Sequence, residues 1–186
     1  MLYTILAIVI VISIILMIIT FFYNKFSFAI IKIEEAESNI DVLFEKKIDL
    51  LERARQIVKK ELKLKEFMDD IEFLNETTIN HFEMNNSLKT LHNEFNKILD
   101  EHEKLYKSEA LVAIIEELNA NDEAILGLTK FYNDNVVIFN QLVGSFPSNI
   151  VALLWKYKKK EFYNNEKKEM YEILNEKKKE VEVWVL

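Results

Sequence analysis

Few residues in this chain have the chemistry for catalysis or metal binding, and their spacing works against both. His81, His92 and His102 are the only histidines, and none follows a Glu by three positions, so the Glu-x-x-His ligand pair of a di-iron bundle is not formed. His92 and His102 lie on a weakly apolar stretch and read as part of a solvated helix face. Ser145 and Ser148 flank Phe146-Pro147 and do not sit in a nucleophile elbow. Gly127 and Gly144 are the only glycines, which leaves no material for a phosphate-cradling loop or a dinucleotide fingerprint. Cysteine is absent, and thiol catalysis, disulfides and thiolate metal sites go with it. The expectation is a chain that is not an enzyme and that carries no cofactor and no metal.

The chemistry left is hydrogen bonding by a few amides and carboxylates, and the helical pattern decides where they fall. From Ile33 an apolar stripe runs through Ala36, Ile40, Phe44, Ile48, Leu51, Ala54, Val58 and Leu62, each three or four residues after the last. Asn39 and Asp41 stand beside that stripe. A later stripe, Leu111, Ile115, Leu118, Asp122, Ile125, Leu128, Tyr132, Val136, Phe139, Val143 and Phe146, has Asp122 as its one polar member. Asn133 and Asn140 are seven apart on one face of that helix. Buried amides must be hydrogen-bonded, and networks of them fix the register of neighbouring helices. Asn39, Asp41, Asn133 and Asn140 are therefore expected to be polar locks between helices, the alternative being that they line a binding groove.

These stripes predict an all-α fold of long helices in an up-down, four-helix arrangement. Two Gly and one Pro are too few for a turn-rich β architecture. The first helix shows no stop before the middle seventies, although Leu64, Phe67, Ile71 and Leu74 continue its stripe with a slip in phase. Thr77 or Thr78 is a candidate cap for the second helix and Ser108 for the third. Gly144 and Pro147 should end the third, since Pro147 has no amide donor and restricts Phe146 before it. Ser148 or Asn149 would cap a fourth helix running through Tyr157.

The opening run Met1 to Asn24 holds no charged side chain. From Ile5 to Phe22 it is almost entirely Ile, Leu, Val, Met and Phe, a span of about 27 Å as a helix. About fourteen Ile, Leu, Val and Phe at roughly −0.3 to −0.6 kcal/mol each favour lipid by about 4–8 kcal/mol in total. A cleaved signal peptide would have a basic start, a shorter apolar centre and a small-residue exit. Met1-Leu2-Tyr3-Thr4 and Phe21-Phe22-Tyr23-Asn24 supply neither end. The expectation is an uncleaved single-pass anchor over 1–24, with Ile5, Ile12, Ile19 and Phe22 as membrane-anchor residues, followed by a helical body over 25–164 and a Lys/Glu-rich tail over 165–186. Lys25 and Lys32 follow the span, which favours a body on the cytoplasmic side of the cell membrane.

The net charge of −7 argues against nucleic acid as a partner. The bilayer is the expected partner, together with an unidentified protein or a second copy of the chain. Lys156, Lys158, Lys159 and Lys160 read either as a solvated Glu/Lys helix or as a contact to anionic lipid. Val181 to Leu186 alternates and ends in Trp184-Val185-Leu186, the pattern of a docking strand or of a segment folding back on the body.

Ser38-Asn39-Ile40-Asp41-Val42 followed by Lys46-Lys47-x-Asp49-Leu50 resembles the motif that opens the LemA family domain. Phe131-Tyr132-Asn133-Asp134-x-Val136, Phe139-Asn140-x-Leu142, Ser145-Phe146-Pro147-Ser148-Asn149 and Lys159-x-Glu161-Phe162 resemble its second half. The resemblance covers the anchor and about residues 23–164. It implies a single-pass bacterial membrane protein with a helical-bundle domain, and it brings no established activity, substrate or cofactor. Two departures stand out: Leu51-Glu52-Arg53-Ala54 lacks the family's frequent Pro, which predicts a straighter helix, and Leu105-Tyr106-Lys107-Ser108 replaces its usual Tyr-Pro link. The expected role is a membrane-anchored, non-catalytic scaffold or adaptor, the alternative being a membrane-tethered sensor whose bundle binds a ligand.

Overall fold

The computed structural model describes residues 1–76 and 81–163. Thr77 and Thr78, expected as caps, lie outside the described residues, as does the tail from residue 164 with its Val181–Leu186 end. The order is α1 (Leu2–Leu62), α2 (Asp70–Glu76), α3 (His81–Glu101), a 3-10 turn (Glu103–Lys107), α4 (Glu109–Gly144) and α5 (Ser148–Trp155). No strand occurs among the described residues, and the fold is all-α.

Two compact units form, Met1–Ala36 with Lys130–Leu186, and Glu37–Thr129. In the first unit the residues of α1 up to Met17 are exposed and, apart from Thr4 and Ser13, apolar, Ile5 and Ile12 among them, while Ile19 and Phe22 are half-buried. Packing begins with Phe26, Ala29, Ile33 and Ala36, all buried. The Phe26 ring meets Phe139 of α4 edge-on at 5.6 Å and Tyr157 at 4.8 Å, and Tyr157 in turn lies 5.9 Å from Phe139. Each aromatic removed from water in this way contributes roughly 1.5–3 kcal/mol.

In the second unit Ile40, Phe44, Ile48, Leu51, Ala54 and Val58 of α1 are buried, as the stripe predicts. The helix then stops at Leu62, not in the middle seventies. Leu62 to Phe67 is a five-residue step that no helical face can absorb, and the core needs Phe67, Met68, Ile71 and Leu74, all buried. Lys63 takes the left-handed conformation at φ 55, and the Leu64 amide donates to Lys59 O at 3.1 Å, the six-to-one bond of a Schellman stop. The straight passage expected at Leu51–Ala54 lies within the unbroken α1.

The boundaries of α4 fall where Ser108 and Gly144 predict. The Leu111 amide donates to Ser108 O at 3.0 Å and lies 3.4 Å from its Oγ. In the interior of α4, Gly127 has no atom within 4 Å of where a Cβ would stand. Gly127→Ala is therefore expected to raise stability by about 0.8–1 kcal/mol through helix propensity alone. A thermal melt of the variant showing no gain would contradict that open environment.

Ser148 does not cap α5. The preceding Pro147 is the N-cap residue, and the Ser148 hydroxyl lies 2.7 Å from Leu142 O, a carbonyl in the last turn of α4, and 2.9 Å from Ser145 O, which also accepts the Asn149 N–H at 2.8 Å. The last helix also ends before Tyr157. Lys156 is left-handed at φ 58, with Tyr157 N–H donating to Ala152 O at 2.9 Å and Lys156 N–H to Leu153 O at 3.3 Å. Residues 157–162 are then without regular structure, so Lys158, Lys159 and Lys160 do not form the Glu/Lys helix that their composition suggested.

Candidate functional site

The amides of α4 grip this irregular segment. Asn140 is half-buried and faces Lys160: its Oδ1 accepts the Lys160 N–H and its Nδ2 donates to Lys160 O, both at 2.8 Å. The exchange is the one a β-ladder pair makes, supplied here by a side chain. Seven residues earlier Asn133, fully buried, accepts the Tyr163 N–H at 2.8 Å on Oδ1. The Tyr132 hydroxyl donates to Glu161 O at 3.2 Å, and its ring meets Tyr163 edge-on at 5.6 Å. One helical repeat of seven thus matches three residues of extended chain, about 10 Å in either case. Asn133 and Asn140 hold a strand-like segment rather than a second helix. Asn133 Nδ2 is buried and meets no hydrogen-bond partner among the described residues.

Replacing Asn140 by Leu removes both bonds to Lys160 at once. Expected is a loss of about 1–2 kcal/mol for the segment 158–163, read as accelerated hydrogen exchange at the amides of Lys160 and Tyr163 with the α1 amides unaffected. Unchanged exchange at both positions would remove the clamp from the account.

Asn39 and Asp41 are exposed. Ile40 between them is buried, and a helix turns its neighbours away on either side by about 100° each, so neither occupies the buried position expected of an inter-helix lock. An amide that does so in this unit is Asn121, 2 % exposed, whose Nδ2 donates to Leu43 O at 3.1 Å while its Oδ1 is buried with no partner among the described residues.

Beside it lies a polar cluster that joins three helices of the second unit. The Lys47 ammonium donates to Asp122 Oδ1, and Asp122 Oδ2 faces His92 Nδ1 at 2.9 Å. The side chains of Lys47 and His92 are 8 % and 13 % exposed, so one carboxylate ties α1 and α3 to α4. Burial pushes the Asp122 carboxyl up, and the hydrogen bonds from His92 and Lys47 more than offset this, leaving it below the usual carboxylate range. His92 is not on a solvated face. It follows Leu88 by four and precedes Phe95 by three, both buried, which puts it on the core side of α3.

A second cation, Arg55, closes the stop after α1. Its Nε donates to Phe67 O at 2.9 Å, its Nη1 reaches Glu52 at 3.1 Å, and its Nη2 reaches Asp69 at 2.7 Å and Glu72 at 2.9 Å. The Asp69 bond is the chief reason that Arg55 holds its proton more tightly than usual, and Arg55 followed by Lys59 draws the Asp69 carboxyl down. Arg55 follows Leu51 by four, and its partners are Glu52 three residues before it and Asp69 and Glu72 beyond the stop.

Among the described residues no group of three or more His, Asp or Glu side chains is placed to hold a metal ion. An apolar cleft of about 710 Å³ opens in the first unit, between Phe21, Phe22 and Phe28 of α1 and Ile138, Leu142 and Phe146. Phe146, the last member of the α4 stripe, is not in the core but 80 % exposed.

Helices stitched by amides and small ion-pair clusters, with α1 opening in a stretch of mean hydropathy 3.3, define an all-helical protein having one helix long and apolar enough to cross a membrane among the described residues, or two if the bent pair of α4 and α5 counts as one. The model of the LemA family matches residues 36–181. The chain belongs to the LemA family. Comparison with curated proteins and with solved structures gave no match.

Proposed function

We propose that this LemA-family chain is a non-catalytic scaffold tethered to the cell membrane by residues 1–24, with its helical body on the cytoplasmic side. One observation carries the reading: the charge-free opening stretch and the buried stripe from Phe26 to Val58 belong to a single unbroken helix. Exposed apolar side chains up to Met17 need lipid or a protein around them, while the buried stripe fixes the start of the body directly to that stretch. Lys25 and Lys32 after the span support the cytoplasmic side. The cations Lys47 and Arg55 are engaged in ion pairs that organise the fold, which supports a binding role over a reactive one.

A sensor that binds a ligand is the second reading, and the cleft beside Phe21 and Phe22 is the feature that favours it. Cross-linking in native membranes decides between them. Recovery of a reproducible protein partner, or of a second copy, supports the scaffold. Stabilisation of the purified chain by a small molecule, with no partner recovered, supports the sensor and contradicts the scaffold.

A further inference from the structure

Between Asp134 and Lys156 the chain has no charged residue, and the end of that run faces outward. Phe146 is 80 % exposed and Leu153 81 %, with Ile150 and Leu154 also more than half exposed, while α5 buries only Ser148, Val151 and Ala152. A helix of this length rises about 12 Å and cannot cross a hydrocarbon core of about 30 Å. It is turned 94° from the axis of α4. Its end is fixed against α1: the Trp155 ring lies 5.3 Å from Tyr23, the aromatic residue two positions before the first charge, Lys25.

We propose that α5 is a lipid-docking helix, lying in the headgroup boundary of the bilayer that residues 1–24 cross, with Phe146, Ile150, Leu153 and Leu154 reaching the acyl chains. The inference rests on the membrane-anchor reading and goes beyond it. Tyr23 and Trp155 are ring types that settle at the membrane–water interface, and their contact sets α5 at the depth where the anchor leaves the lipid. A helix too short to span, with Ile150, Leu153 and Leu154 exposed three and four residues apart, is suited to lie along such a boundary. Lys156 and Lys158 follow it at once, placed to meet anionic headgroups. Continuity with the anchor selects lipid over a second copy or another protein as the occupant of this face.

The chain has no Cys, so single nitroxide reporters can be placed at will. Full-length Ile12→Cys, Leu153→Cys and Glu116→Cys chains, the last at an exposed site on α4, would be labelled and reconstituted into vesicles of phosphatidylethanolamine and phosphatidylglycerol. Collision with lipid-soluble oxygen is then compared with collision with a water-soluble nickel chelate. Expected is an oxygen-to-chelate ratio several-fold higher at Leu153 than at Glu116, and highest at Ile12. A lipid-like ratio at Ile12 with a Glu116-like ratio at Leu153 overturns the docking of α5 and leaves the anchor standing. Spin–spin broadening at Leu153, or shielding from both reagents, makes the occupant a second copy or another protein and also overturns it. A water-like ratio at Ile12 removes the anchor, and the proposal falls with it.

Discussion

A chain carrying Ile12→Arg and Ile15→Arg together is expected to lose its hold on the membrane. An Arg at the centre of a span costs roughly 2.5–3.5 kcal/mol and each Ile it replaces contributed roughly 0.3–0.6 kcal/mol the other way, so the pair shifts insertion by about 6–8 kcal/mol. That matches the whole favourable sum of about 4–8 kcal/mol for the native stretch. Both positions are exposed and distant from the first buried residue, Phe26, so the body should fold unchanged. Cell-free synthesis with vesicles followed by flotation reads the result. The native chain should float and the double variant should remain largely at the bottom, with either single variant between them. If the double variant floats as the native chain does, this stretch is not what holds the chain to lipid.

The second large effect concerns Asp122. In Asp122→Leu the Lys47 ammonium, 8 % exposed, and the His92 ring lose their shared acceptor together. Breaking a fully buried pair costs about 3–5 kcal/mol. Asp122 is itself 36 % exposed, so water compensates in part and about 2–3 kcal/mol is expected. For a chain of this size that lowers the melting temperature by about 5–10 °C. Lys47→Met should cost far less, under about 1 kcal/mol, because it leaves Asp122 paired with His92 and fills the same space with apolar atoms. Equal losses in the two variants would mean that packing, not the charge, is what matters at this point.

The same carboxylate gives a pH dependence with a definite sign. The folded-state value for Asp122 lies below the ordinary one because the hydrogen bonds from His92 and Lys47 outweigh its burial. Its contribution to stability is therefore complete above the unfolded carboxyl value of about 3.9 and disappears as pH falls through the lower folded one. Asp69, drawn down by Arg55, acts in the same direction. Both belong to Glu37–Thr129, so acid should loosen this unit in particular.

The parts of the fold that periodicity and punctuation specify were open to reading. Ser108 and Gly144 bracket α4, and the stripe from Ile33 to Val58 is buried throughout. The stop at Leu62 was masked because its left-handed residue is Lys63, a type with no preference for that conformation, and the only trace was the slip in phase toward Phe67. Lys156 hid the end of α5 in the same way. At the candidate site, Asn133 and Asn140 stood out as amides on a core face, but their partners are backbone atoms of Lys160 and Tyr163, and backbone carries no sequence signature. Asp122 was visible as the one carboxylate in an apolar stripe. Its partners follow from the rule that a carboxylate in such a position needs donors, and His92, on the Leu88–Phe95 side of its helix, was the donor overlooked.

Everything proposed about function depends on residues 1–24 staying attached and staying in lipid. The most direct test is the intact mass of the chain recovered from native membranes after an alkaline carbonate wash. The account predicts the full chain, opening residues included, in the washed membrane. A chain released into the wash, or one that begins beyond Tyr23, would contradict it.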